Sequence, residues 1–344
     1  MAQSSLIIDG NEILPGTNVK LELPVAKLYT DSDVSLPIHV FRAKKPGPTV
    51  FVSAAIHGDE LNGIEIIRRV ISNPKFKILR GTLIAVPIVN VYGVVNQSRY
   101  MPDRRDLNRS FPGSAKGSLA SRVANKFLTE IVSKCDYGID LHTGAIHRSN
   151  LPQIRANLED QETSELAQLF GVPVVLNAEI LEGSLREAAS QTKTKILLYE
   201  AGEALRFDEF SIRAGVKGVK NILRHFGMLR KNKHKQVSCA VAKNSKWYRA
   251  NASGIFNTRV SLGDKVEKGD VLAEIGSPYG NVINKVIAEK NGIIIGQQNI
   301  PLVQEGEAMF HIAFFTEEED DIVEHIENVQ EQLLPELSGG LEQQ

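Results

Sequence analysis

From Thr49 onward the chain switches back and forth between two hydrophobic periodicities, and this restricts its fold more than any other feature. Thr49-Val50-Phe51-Val52-Ser53-Ala54-Ala55 is a β-branched and aromatic run of the kind that forms a buried strand. After a polar turn, Gly63 to Asn73 has helical spacing, and Gly81 to Val89 reads as strand again. The pattern continues through a helix over Leu119 to Lys134, with Ser118 or Ser121 as its cap, and a strand over Asp136 to Leu141. Helices follow at Glu162 to Phe170 and Ser184 to Ser190, then a strand at Lys195 to Tyr199 and a helix over Phe207 to Phe226. Such alternation predicts an α/β fold, a mixed central sheet flanked by helices. Ahead of it, Ser5 to Ile8, Val19 to Leu23 and Leu36 to Phe41 read as hairpin strands at a sheet edge, closed off by the turn Lys44-Lys45-Pro46-Gly47-Pro48.

The helical signal stops at the polar, basic stretch Arg230 to Lys235. Between Val237 and Phe315 short strands alternate with glycine turns, and the segment repeats itself. Gly254-Ile255, Val266, Gly269-Asp270, Leu272 and Ile275 are echoed by Gly292-Ile293, Val303, Gly306-Glu307, Met309 and Ile312. A smaller C-terminal all-β domain is therefore expected, in keeping with a length of 344 residues, which exceeds the usual single compact domain. The divisions are 1–235 for the α/β domain, whose first 45 residues are edge strands, 236–316 for the β-domain, and 317–344 for an acidic tail. In that tail Ile322 to Leu334 reads as a surface helix and Ser338 to Gln344 as a frayed end.

Charge and composition remove several function classes. A formal net charge of -1 leaves no basic surplus for phosphates, so nucleic acid is not the expected partner. Met1 to Glu12 lacks a cationic start followed by an apolar core, and no apolar run approaches the roughly 20 residues that span a bilayer. The expected location is cytoplasmic, with no membrane partner. Two cysteines, Cys135 and Cys239, lie far apart without metal spacing, which fits a reducing compartment and excludes a cysteine-rich zinc site.

Chemistry is concentrated at strand ends, where ligands of open α/β sheets gather. His57-Gly58-Asp59-Glu60 follows the Thr49 strand and supplies one nitrogen and one oxygen donor. A catalytic zinc of the two-His-one-Glu type needs one more imidazole and leaves a position for water. His142, after Ile139-Asp140-Leu141, is the candidate; His147, in the polar stretch beyond, is a rival third ligand. Asp140 shares a strand face with His142 and either orients it or caps the turn. His39, His225, His234, His311 and His325 have no donor partner at useful spacing. The loop Arg99 to Gly113 carries four arginines within eleven residues, and Asn108-Arg109 pairs an amide with a guanidinium fork suited to a carboxylate. Glu200, at the end of the Lys195 strand, is a candidate general base, although taken alone it reads rather as an N-terminal charge for the next helix.

Taken in order, His57-Gly58-Asp59-Glu60, Asp106-Leu107-Asn108-Arg109 with Phe111-Pro112-Gly113, Asp140-Leu141-His142 and Glu200-Ala201-Gly202 resemble the succinylglutamate desuccinylase/aspartoacylase family, a branch of the zinc carboxypeptidase superfamily. The resemblance spans roughly residues 45 to 230. It implies a zinc carboxypeptidase-like sheet with one zinc ion per chain held by His57, Glu60 and His142. It further implies Glu200 as general base and acid, Asn108 and Arg109 as carboxylate-binding residues, and Arg99 as the oxyanion-stabilising arginine, with Arg104 and Arg105 nearby in the same loop. The loop from Arg99 to Asp106 is longer than in aspartoacylase proper. The implied reaction is hydrolysis of a small anionic N-acyl amino acid, a deacylase; a metallocarboxypeptidase is the second reading, and a binding or carrier protein with a vestigial site is the third. A homo-oligomer stays open. The β-module resembles the family's C-terminal domain and, more distantly, the barrel-sandwich of biotinyl and lipoyl carriers, through Val266-Glu267-Lys268-Gly269-Asp270-Val271-Leu272. The tip where carriers place a lysine reads Ser277-Pro278-Tyr279-Gly280-Asn281, so no attached cofactor is expected. Tyr279 is read as a plain hairpin tyrosine, with contact to substrate as the sharper alternative.

Overall fold

A computed structural model describes residues 5–73, 76–231, 239–315 and 319–334. Most of the predicted boundary stretch Arg230 to Lys235, the start of the acidic run at Thr316, and the tail Ser338 to Gln344 lie outside them.

A short hairpin, β1 (Leu6–Ile8) and β2 (Asn11–Ile13), precedes a long one, β3 (Asn18–Lys27) and β4 (Asp33–Arg42). The α/β part follows in the order β5 (Thr49–Ala54), α1 (Asn62–Ile71), β6 (Thr82–Val86), α2 (Val91–Val95), α3 (Leu119–Glu130), β7 (Tyr137–Gly144) and β8 (Arg148–Ala156). It continues with α4 (Gln161–Phe170), β9 (Val174–Asn177), α5 (Leu185–Ser190), β10 (Lys195–Glu203) and α6 (Glu209–His225). The C-terminal part has β11 (Ala240–Ala242), β12 (Asn244–Arg249), β13 (Gly254–Thr258), β14 (Lys265–Val266), β15 (Val271–Gly276), β16 (Val282–Ile287), β17 (Gly292–Gln298), β18 (Leu302–Val303) and β19 (Ala308–Phe314), then α7 (Glu319–Leu333).

The centre of the main sheet is the parallel set β10-β7-β5-β6, extended by antiparallel β4 and β3 on one side and β8 on the other. Both faces are covered. Val50, Val52 and Ala54 of β5 join the core under α1, α4 and α6, and Phe51 joins the opposite core with Phe127 of α3 and Leu185 of α5. A strand buried on both sides has no polar face, hence the unbroken apolar run that marks it in the sequence. Helix ends match their caps. Ser118, not Ser121, caps α3 by accepting from the Ser121 N–H, and Asp160, Ser184 and Asp208 cap α4, α5 and α6 in the same way. α1 and α6 are tied by Arg69, which makes two bonds of 2.9 Å to Glu209.

The C-terminal repeat is visible as pairing. β13 pairs with β15 and β18, while its counterpart β17 pairs with β19 and β14, so each half lends its short middle strand to the other. Sheet β16-β15-β13-β18 shares one apolar core, including Phe256, Leu272 and Ile275, with Phe310 and Ile312 of β19. β17, β19 and β12 also continue the main sheet, because β17 pairs antiparallel with the Arg148–Asn150 end of β8. The stretch around His147, read as a polar loop, therefore leads straight into a strand at Arg148. Among the described residues no helix is long and apolar enough to cross a membrane.

Candidate metal centre and active site

Three adjacent parallel strands deliver the predicted residues to one place. β5 ends at Ala54, and Ala55, at φ +53, turns the chain left-handed so that the segment carrying His57 folds over the sheet end. Gly58 lets this segment lie on α2, since a Cβ there would come within 1.9 Å of the Gly93 backbone. Glu60 stands just before α1. His142 belongs to β7, which runs on to Gly144, and Glu200 to β10, where it is the backbone partner of His142.

His57, Glu60 and His142 are 4, 2 and 3 % exposed, and one donor atom of each lies within 4.8 Å of the others. His57 Nδ1 is 2.7 Å from Glu60 Oε1, and His142 Nδ1 is 2.8 Å from Glu60 Oε2. The far ring nitrogens meet carboxylates: His57 Nε2 is 3.1 Å from Asp106 Oδ1, and His142 Nε2 is 2.8 Å from Asp140 Oδ2. A carboxylate that accepts from Nε2–H fixes the tautomer and aims Nδ1 at the centre, which is how histidine ligands are commonly held around a metal. Two imidazoles and one carboxylate, converging while backed by acids, fit zinc with a fourth position open. The charges of these groups lean on each other. Burial opposes a proton on His57, but Glu60 and Asp106 outweigh it and raise the pKa. For His142, burial is likewise overcome, by Asp140 and Glu60. Glu60, despite complete burial, is held well below the carboxylate range by the two imidazoles.

The arginine loop packs against this centre. Asp106 accepts from the Asn108 N–H and so caps the 3-10 turn Leu107–Arg109. It also holds Arg99, with Nη2 at 2.9 Å, and the other end of Arg99 reaches to 3.5 Å from Glu60 Oε1. Arg104 and Arg105 are exposed and stay outside the cavity, Arg105 facing Asp103 at 3.9 Å. Asn108 uses Oδ1 to accept from the Leu185 N–H at 2.9 Å, which leaves its amide NH2 as the donor for the cavity. Arg109 donates to the Asn108 carbonyl at 2.6 Å.

A cavity of about 240 Å³ joins His57, Glu60, Arg99, Asn108, Arg109, His142 and Glu200. The N-terminal charge of α6 is supplied by its cap Asp208, so Glu200 is not needed there. Its Oε2 accepts from Asn150 Nδ2 at 2.9 Å, and Arg155 Nη1 stands 3.7 Å from Oε1. His147 is exposed, gives its backbone N–H to Glu203, and takes no part in the metal group. Tyr279, at 92 % exposure, is a hairpin-tip residue outside the cavity. Among the wall residues that escaped sequence reasoning are Arg148, Asn150 and Arg155 on β8, Arg186 on α5, and Trp247 on β12. Arg186 is largely buried, and desolvation with Arg155 nearby lowers its pKa to about 10. The unbroken polar run Arg148-Ser149-Asn150 hides the start of β8, and Pro152 adds to this, because proline argues against a central strand.

Known proteins share this fold. The model of the succinylglutamate desuccinylase/aspartoacylase catalytic domain matches residues 46–226. An N-alpha-acetyl-L-2,4-diaminobutyric acid deacetylase of Halomonas elongata is 27 % identical over 294 residues, covering 81 % of this chain and 86 % of that protein. The product-bound structure of the ectoine utilization protein EutE (DoeB) of Ruegeria pomeroyi is similar with a TM-score of 0.76 at 25 % identity, over 87 % of this chain and 95 % of that one. A succinylglutamate desuccinylase/aspartoacylase structure from Rhodobacter sphaeroides has the same fold, with a TM-score of 0.75 at 22 % identity, over 87 % and 95 %.

Proposed function

Because the chain belongs to the succinylglutamate desuccinylase/aspartoacylase family, we propose that it is a zinc-dependent deacylase that hydrolyses the amide bond of a small, anionic N-acyl amino acid. The observation that carries the reading is the meeting, in one cavity, of the His57-Glu60-His142 group, the Glu200 carboxylate and the Asn108-Arg109 pair. The relative from Halomonas elongata is named for deacetylation of an N-acetyl amino acid, which supports the same bond as the target here.

His57, Glu60 and His142 would hold a zinc ion. Zinc, when bound, supplies a Lewis acid and lowers the pKa of a water toward about 7. Glu200 takes a proton from the attacking water at its carboxylate and returns it to the departing amine nitrogen, a role typically worth about 10²- to 10⁴-fold. Arg99, braced by Asp106, donates to the oxygen that gains charge, where loss of a donor usually costs about 10²- to 10³-fold. Asn108 and Arg109 hold the substrate carboxylate through the amide NH2 and the guanidinium. Arg148, Arg155 and Arg186 add positive charge to the wall, in keeping with an anionic substrate.

The C-terminal β-module, divided from the catalytic domain near residue 235, shields the mouth of the site in a barrel-sandwich-like arrangement and contributes Trp247. The relative named for deacetylation of an N-acetyl amino acid favours the deacylase over the carboxypeptidase. The test is a hydrolysis screen of N-acyl amino acids and dipeptides on zinc-loaded protein, with and without chelator. Glu200→Gln should cut turnover by about 10²- to 10⁴-fold while zinc stays bound; full activity of that variant would overturn the mechanism, and turnover of dipeptides alone would overturn the substrate class.

A further inference from the structure

Glu200 has three rotatable side-chain bonds, and a base that is to meet a water in one geometry must be fixed by something. The residue that fixes it comes from β8. Asn150, 6 % exposed, donates to Oε2 at 2.9 Å, while Arg155, at 3.7 Å from Oε1, is too far for a direct hydrogen bond. A neutral amide can hold one carboxylate oxygen without neutralising the group, and it leaves the other oxygen for the proton.

Asn150 lies where three strands meet. Its backbone partners are Gly202 of β10 on one side and Gly296 of β17 on the other. Both neighbouring strands break register here, β10 between Glu200 and Gly202 and β17 between Ile294 and Gly296. Breaks of this kind re-aim side chains and occur next to active sites. Gly296 also leaves little room for a side chain. A Cβ on it would stand 3.0 Å from Asn150 Oδ1 and 3.0 Å from His311 Cβ. Behind it the wall is stiff: His311 stacks on Trp247 at 4.6 Å and 8°, and its Nε2 is 2.8 Å from Ser245 Oγ. The Asn150 amide is thus confined between the catalytic sheet and the C-terminal β-strands.

Resting on the reading of Glu200 as general base, we infer that Asn150 is the positioning residue for Glu200 and that Gly296 of β17 sets where the Asn150 amide stands. The C-terminal β-module then acts on the hydrolysis without touching the reacting atoms.

The experiment uses the full-length, zinc-loaded protein. Asn150→Ala should lower kcat by about 10- to 100-fold, the usual worth of a hydrogen bond to a charged group, with KM and zinc content nearly unchanged. Gly296→Ala should lower kcat in the same sense, by less. Combined with Glu200→Gln, Asn150→Ala should remove no further activity, since the two act as one unit. A crystal structure of Asn150→Ala should show the Glu200 carboxylate moved from its place. Wild-type kcat in Asn150→Ala, loss of zinc along with activity, or a full additive loss on top of Glu200→Gln overturns the inference. If Asn150→Ala does not fold, the isosteric Asn150→Asp, which sets two carboxylates against each other, is expected to lose at least as much, and wild-type kcat there overturns it too. Failure of the underlying reading is distinguishable, because then Glu200→Gln itself keeps its turnover.

Discussion

Asp140 offers the sharpest test of how the metal group is built. Its two oxygens are both engaged at 2.8 Å, Oδ2 with His142 Nε2 and Oδ1 with the Ser53 hydroxyl, and the residue is buried. Truncation by Asp140→Ala leaves the imidazole free to change tautomer and turn, and loss of such an orienting carboxylate typically weakens a metal site about 10- to 100-fold. At about 1.4 kcal/mol per factor of ten, that is a loss of about 1.4 to 2.8 kcal/mol in zinc binding. The metal-free fold should weaken as well, because the His142 N–H and the Ser53 hydroxyl lose a buried acceptor, at about 1–3 kcal/mol each. Asp140→Asn keeps an oxygen for Nε2–H and should lose less than Asp140→Ala. Ser53→Ala removes only the brace and should lose least. Zinc affinity is read by competition with a chromophoric chelator at neutral pH, and stability by thermal melts with and without zinc. The reasoning fails if Asp140→Ala melts earlier yet binds zinc as tightly as wild type, for then the carboxylate serves the fold and not the site.

Removal of zinc by a chelator should abolish hydrolysis and lower the melting temperature, with both restored by added zinc, because an ion that binds only the folded chain stabilises it by mass action. Asp160, drawn by Lys195 and by Thr163 at the start of α4, has its carboxyl lowered from 3.8 to about 2. A depressed carboxyl adds stability above its unfolded value that is lost as pH falls through the folded one. In urea titrations the gap between wild type and Asp160→Asn, which keeps the cap, should therefore be open above about pH 3.8 and close toward pH 2. Since this side chain is more than a third exposed, the gap should not exceed about 1 kcal/mol; a gap that widens on acidification refutes the assignment. Glu203 accepts from the His147 N–H at 2.9 Å and from Asn299 Nδ2 at 2.7 Å, joining β10 to the C-terminal strands. Glu203→Ala should cost about 1–3 kcal/mol in thermal or urea unfolding, and an unchanged midpoint would show that the clamp carries no load.

What the sequence displays is what local chemistry dictates. β5 reads as a strand because both faces are buried, and α3, α4 and α5 begin at hydroxyl or carboxylate caps that are visible as letters. His57 and Glu60 stand out because three positions on one turn keep them together, and Arg99 could be favoured over Arg104 and Arg105 only through its match to a known motif. β8 is different. One stretch of it faces the cavity with Arg148, Asn150 and Arg155, so the apolar alternation that marks a half-buried strand is missing, and Pro152 adds a misleading signal. The role of Asn150 depends on register breaks in two neighbours, one of them far along the chain, and no spacing within the sequence encodes that.

The seam between β8 and β17 also has a history in time. Gln153 and Ile295, which bond across it, are 142 residues apart. At a synthesis rate of about 5–20 residues per second, the Arg148–Asn150 edge waits roughly 7–30 s for its partner after leaving the ribosome. Bare strand edges recruit other chains, and proline and charged side chains are what discourage them. Pro152, Arg148 and Arg155 sit on this strand. Of these, Arg148 lies on the edge that waits for β17, and its guanidinium, which later lines the cavity, is the kind of charge that discourages such pairing.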